Sequence, residues 1–227
     1  MTDDEIRKRF EEYRDNLLDE CQYFVACVHI SKRFREQQIK NPKLVNTAPC
    51  YWAVSMKSVF VSIVLWGEKL FGDHAKSKWP QMDFWEFIDF LKENRQALFS
   101  TPIYCEEESW GVTSDDIEAH LEKLKSLEGM KVIKHLRDKY YAHFDEGFFL
   151  DRKKLRDGTD INFAALENMG NVAQEILLHY SLAYNGEGFS VKAANVDDVT
   201  GLFGLIERYF DERKKSVNMI RKEGKKE

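Results

Sequence analysis

Proline and glycine are scarce, at four and twelve residues in a chain of 227. That is too little turn chemistry for an all-β fold. The four cysteines, Cys21, Cys27, Cys50 and Cys105, form no Cys-x-x-Cys pair and no zinc-type cluster with histidine. Cys27 and His29 come nearest, but on a helix their side chains would point about 160° apart. No structural metal is expected, and the thiols read as reduced, mostly buried groups of a cytoplasmic protein. Long hydrophobic runs are also missing. The most apolar stretch, Val59 to Trp66, lies between Lys57 and Glu68 and falls far short of the roughly 20 residues that span a bilayer. The acidic, polar N-terminus does not read as a signal peptide. These absences together predict a soluble, cytoplasmic chain with no membrane partner. There is no P-loop or Rossmann glycine pattern, and no paired Glu-x-x-His helices of a di-iron bundle. No cofactor is therefore expected. An excess of positive charge is lacking too: the net charge is −5. That excludes a protein that coats nucleic acid nonspecifically but leaves room for a local basic patch.

What the chain has in quantity is helix pattern. Charged residues make up 32% and hydrophobic residues 43%. Thr2-Asp-Asp-Glu5 has capping-box spacing, and Ile6, Phe10, Tyr13, Leu17, Phe24 and Val28 then form one apolar stripe over a long helix, residues 3–41, ended by Pro42. A second helix runs from near Thr47 to near Gly72. It is apolar on most sides and reads as the central, most buried one. Asp83-Phe-Trp-Glu86 opens a third, closed before Pro102. Residues 100–112 read as loop. Thr113 or Ser114 caps the next helix, which Gly129 bends or breaks and which resumes as KVIKHLRDKYYAHF to near Gly147. Residues 148–158 are irregular. Thr159 and Asp160 open a helix whose Leu166, Ala173, Ile176, Leu177 and Tyr180 face inward, and Asn185-Gly186 ends it. Asn195 and Asp198 start a last helix to about residue 220, with Val199, Leu202, Phe203, Ile206 and Phe210 on one face. The expected fold is all-α, an antiparallel helical bundle with additional helices at both ends. It is read as a single domain over residues 1–227.

The stretch with chemistry is LRDKYYAHFDE, Leu136 to Glu146. If the helix is regular, Ile133, Leu136, Tyr140 and His143 share one stripe, and Arg137 stands about 120° around the axis from His143. One straight helix cannot bring both to one phosphate. Two copies across a two-fold axis can, because each places an arginine and a histidine at the rim of a shared cleft. Such a site suits RNA cleavage without a metal. The histidine moves the 2′-hydroxyl proton near neutral pH, the guanidinium stabilises the phosphoryl oxygens, and Asp138 orients a partner. The competing reading is a packed histidine and a salt-bridged arginine, since twelve arginines and six histidines give a match at such spacing by chance. Lys131, Lys134, His135 and Lys139 are either phosphate contacts or a solvated helix face. The run Arg152, Lys153, Lys154 and Arg156 is either a contact or a polar loop. Lys134, Lys139, Tyr141 and Lys153 are the residues assigned to RNA binding. Trp52, Trp66, Trp79 and Trp85 read as packing residues.

LRDKYYAHFD resembles the signature of the HEPN superfamily, an arginine and a histidine across a short spacer with a polar residue after the arginine. Arg137, Asp138 and His143 match it. The ending AHFD resembles the abortive-infection U branch, whose motif tends to read R-[ND]-K and then A-H-x-D, and YWAVSMKSVFVSIVLWGEKLFGD resembles that branch's second helix. The resemblance covers about residues 45–185. It implies an all-α bundle of four to five core helices and frequent homodimers. It also implies, in many members, a ribonuclease toxin of toxin–antitoxin or phage-defence systems, with RNA as substrate and an antitoxin protein as partner. Other members are binding modules without catalysis. Asp138 stands where many relatives have asparagine. A helical scaffold whose motif is structural is the reading from outside this family.

Overall fold

A computed structural model describes residues 1–72, 82–100, 103–105, 108–137, 162–191 and 198–223, with backbone alone for 103–105, 108–110 and 217–223. The elements in chain order are α1 (Asp3–Lys40), α2 (Pro42–Val45), α3 (Pro49–Phe71), α4 (Phe84–Phe99), β1 (Ile103–Cys105), β2 (Glu108–Trp110), α5 (Ser114–Lys125), α6 (Glu128–Arg137), α7 (Phe163–Asn185) and α8 (Asp198–Glu223). The protein is all-α apart from one small antiparallel ribbon, in which Ile103 pairs with Trp110 and Cys105 with Glu108. The sequence reads that ribbon as loop because three-residue strands are too short to show a period of two.

The helix starts follow from side chains that satisfy the first free backbone N–H groups. Thr2 and Glu5 cap α1 reciprocally, with Thr2 N–H donating to Glu5 at 2.8 Å. Asp83 accepts from the Glu86 N–H at 2.9 Å. Thr113 and Asp116 form a complete capping box at α5. Asn162, not Thr159 or Asp160, caps α7 by accepting from the Ala165 N–H at 3.1 Å. Gly186, at φ 74°, closes α7 in the left-handed region that glycine enters without strain. Pro42 ends α1 as expected, but it also occupies the first position of the one-turn helix α2, where its missing N–H costs nothing.

The described residues fall into two compact units, Met1–Val28 with Val61–Ala193, and His29–Phe60 with Ala194–Glu227. The core of the larger unit is organised around α7. Leu166, Met169, Ala173, Ile176, Leu177 and Tyr180 are all fully buried, and α7 packs against α4, α5, α6 and β1. Phe10 of α1 stacks on Phe87 of α4 at 5.9 Å between centroids. The α1 stripe from Ile6 to Val28 is buried as the sequence predicts. In the smaller unit Phe34, Val45, Trp52 and Phe203 form the core, with Trp52 stacked on Phe203 at 5.1 Å. Leu202, expected inward, is 42% exposed, because Phe203 points its face of α8 at Trp52 and leaves Leu202 on the next.

The expectation that the helix beginning near Thr47 is the most buried does not hold. Tyr51, Val54 and Leu65 of α3 are each more than half exposed, and α7 takes the central place. By length and composition α3 could also cross a membrane, a test that core helices of soluble proteins pass as well.

Candidate functional site

Helix α6 carries the arginine of the motif. Met130, Ile133 and Leu136 are buried on one face, whereas Lys131, Lys134 and His135 are exposed. The buried face sits close to its neighbours at two glycines. A Cβ on Gly129 would lie 2.7 Å from Met169 Cγ and 2.8 Å from the Ala165 carbonyl, so α6 and α7 touch nearly backbone to backbone there. A Cβ on Gly67 of α3 would lie 2.8 Å from Ile133 Cδ1. Gly129 thus marks a close approach. The helix break itself comes earlier, between Lys125 and Glu128.

The crossing of α3 and α6 at Gly67 and Ile133 sets what happens one turn on. Arg137 lies four residues after Ile133, on the same side of α6. Glu68 follows Gly67. The Arg137 Nη1 donates to Glu68 Oε1 in an ion pair. The arginine side chain keeps 38% of its surface in solvent and the glutamate 20%. The same turn of α3 is held from its other side, where Lys69 Nζ donates to Glu20 of α1 at 2.6 Å and Trp66 Nε1 donates to the same carboxylate. The turn of α3 that carries Glu68 is therefore tied to α1.

Of the residues assigned from sequence, Arg137 and Lys134 are described. Both lie on α6, about 60° apart around its axis. Asp138, Lys139, Tyr141, His143 and Lys153 lie outside the described residues. Glu68 was missed. Its signal was a lone carboxylate beside a glycine in an otherwise apolar run, VFVSIVLWGEKLF.

A second group of titratable side chains joins α5 to α7. His120 Nδ1 and the Tyr180 hydroxyl are hydrogen-bonded at 2.9 Å, and the His179 ring stands 5.2 Å away. Burial, then the charge of His179, pushes His120 down to about 4. Burial also lowers His179 and raises the Tyr180 hydroxyl. At neutral pH these rings are uncharged and packed. The thiols of Cys21 and Cys27 are pushed up by burial and stay protonated, whereas Cys50 is exposed. Among the described residues no three His, Cys, Asp or Glu side chains are arranged to hold a metal ion.

A family model described as AbiU2, of the HEPN group, matches residues 3–200. The match takes in α1 from its first residue and stops within α8, so it extends beyond the stretch read from sequence, about residues 45–185, at both ends. No curated protein and no solved structure matches the chain. The all-helical fold, the RDKYYAH motif that begins at the end of α6 and a match over nearly the whole length lead to one statement: the chain belongs to the AbiU2 family, an abortive-infection branch of the HEPN proteins.

Proposed function

We propose that this protein is a metal-independent endoribonuclease, the toxin or effector of a phage-defence or toxin–antitoxin system. It acts in the cytoplasm as a homodimer. Arg137 and His143 are its catalytic residues and Asp138 supports them. His143 takes the proton of the 2′-hydroxyl as that oxygen attacks the adjacent phosphorus, the P–O5′ bond breaks, and the leaving 5′-oxygen takes a proton from water. Negative charge that builds on the phosphoryl oxygens meets the planar guanidinium of Arg137, whose paired donors match two oxygens. Lys134, Lys139, Tyr141 and Lys153 hold the RNA backbone. The reaction needs no metal, and its products end in 2′,3′-cyclic phosphate. In a toxin–antitoxin setting an antitoxin protein is its partner.

The observation that carries this reading is the state of Arg137. It keeps 38% of its side chain in solvent and is ion-paired to a carboxylate, on a helix whose adjacent residue Leu136 is 1% exposed. A side chain presented in that way suits a ligand more than a core. The same ion pair favours a second reading, a HEPN module that binds nucleotide or protein without catalysis, since a structural arginine is held in this way too. Expression in a host separates the two. The enzyme predicts growth arrest by the wild type, relieved by His143→Ala, with RNA cleaved by the purified protein in excess chelator. A purified protein that binds RNA but cuts none points to the module. Cleavage that depends strictly on magnesium and leaves 5′-phosphates overturns the mechanism.

A further inference from the structure

We infer that Glu68 is a positioning residue for the reaction, acting through Arg137. The inference rests on the ribonuclease reading above and adds to it a residue outside the motif, 69 positions away in sequence. A guanidinium is planar and carries five N–H donors in a fixed fork. An arginine on a long flexible stem samples many orientations, and only some aim the fork at a phosphate. A carboxylate that accepts from Nη1 narrows that range of orientations.

Glu68 can do this because its own place is set by packing on three sides of one helical turn. Gly67 seats against Ile133 and Phe24. Trp66 and Lys69 are both tied to Glu20 of α1. Glu68 meets Arg137 one turn beyond the Ile133 contact. The close approach at Gly67 helps set that reach, since a side chain there would meet Ile133 and make it shift. The carboxylate is mostly shielded, and the arginine is less so. That asymmetry suits a fixed support beneath a group that faces substrate. It also has an electrostatic consequence. Orientation held in advance is not lost as an entropic cost in the transition state. The negative charge of Glu68 opposes the incoming phosphate, so its benefit must appear in kcat more than in binding.

The test uses the full-length protein and a fluorophore–quencher single-stranded RNA of mixed sequence, with melting temperatures measured alongside. Glu68→Gln keeps the shape and removes the charge. It should lower kcat by about tenfold or more while KM stays within about twofold. Glu68→Ala should lose more, and Glu68→Asp should recover most of the loss. In an Arg137→Ala background, Glu68→Gln should have no further effect, because the two act as one unit. Lys92→Gln, which breaks an exposed pair between α4 and α5 to Glu118, should leave kcat unchanged. Wild-type kcat in Glu68→Gln, with Arg137→Ala inactive, overturns the inference and leaves the ribonuclease standing. A faster Glu68→Gln enzyme overturns it as well and makes the carboxylate a mask on Arg137. A loss of kcat in Glu68→Gln that only follows a fall in melting temperature assigns Glu68 a structural role instead. A wild type that cuts no RNA, or Arg137→Ala that cuts as well as wild type, removes the ribonuclease reading and this inference together.

Discussion

Leu136 and Arg137 are adjacent, yet one is 1% exposed and the other 38%. The difference separates folding from chemistry. Leu136→Ala should destabilise the protein by about 2–5 kcal/mol in chemical denaturation, as a lost methyl-rich side chain leaves a cavity. Arg137→Ala removes a partly exposed ion pair and should change stability by about 1 kcal/mol or less while abolishing cleavage. If His143→Ala lowers the melting temperature as much as Leu136→Ala does, the histidine is a packing residue and the module reading replaces the enzyme. A second residue-scale expectation concerns pH. His120 has a folded pKa of about 4, below the unfolded value of about 6.5. Between those values the unfolded chain binds more protons than the folded one, so stability rises with pH through that window. The contribution is complete above about pH 6.5 and is lost as pH falls toward 4. His179, lowered in the same direction, adds to the slope. Melting temperature should fall from pH 7 to pH 5, and His120→Asn should flatten that fall. An equal slope in the variant would show that other groups carry it.

At the scale of elements, what could be read from sequence was local. The caps at Thr2, Asp83 and Thr113 lie within three residues of the N–H groups they satisfy, so residue type and spacing suffice. The stripe of α1 and the left-handed Gly186 are local in the same sense. What failed was knowledge of neighbours. An all-round apolar α3 announces that it is hydrophobic, not what covers it, and Tyr51, Val54 and Leu65 remain exposed. Glu68 stands out in its apolar run, but its partner does not, since that partner is distant in sequence and meets it where two helices cross at Gly67. Gly129 was read as a bend, whereas its role is contact with α7. Gly129→Ala tests this. Alanine should help an ordinary helix interior by about 1 kcal/mol. Here the added Cβ meets Met169 and the Ala165 carbonyl, and backbone cannot move aside as a flexible side chain can. The variant should instead lose about 1–3 kcal/mol, as overpacking does. A stabilised Gly129→Ala would mean that α6 and α7 are less closely seated than their backbones place them.

For the whole molecule, Glu68 and Arg137 both belong to the unit that includes Val61–Ala193, and the family match ends near the start of α8. A site confined to one unit still leaves the angular problem posed by the motif. On a regular helix the arginine and histidine point about 120° apart, which favours a cleft shared by two copies. Light scattering should therefore give a dimer, and a monomer at every concentration would sink the composite site. Mixing gives the sharper test. Arg137→Ala and His143→Ala should each be inactive alone. In a heterodimer of the two, an arginine from one copy can face a histidine from the other, so one of two clefts is whole. With free exchange about half the dimers are mixed, and the mixture should regain about a quarter of wild-type activity. Recovery should appear only after the dimers have exchanged, and it should rise to a maximum at equal proportions of the two variants. If both residues of one site come from the same chain, no proportion restores cleavage, however long the proteins are mixed. That result would require the helix to bend between Arg137 and His143, and would make the single copy the catalytic unit.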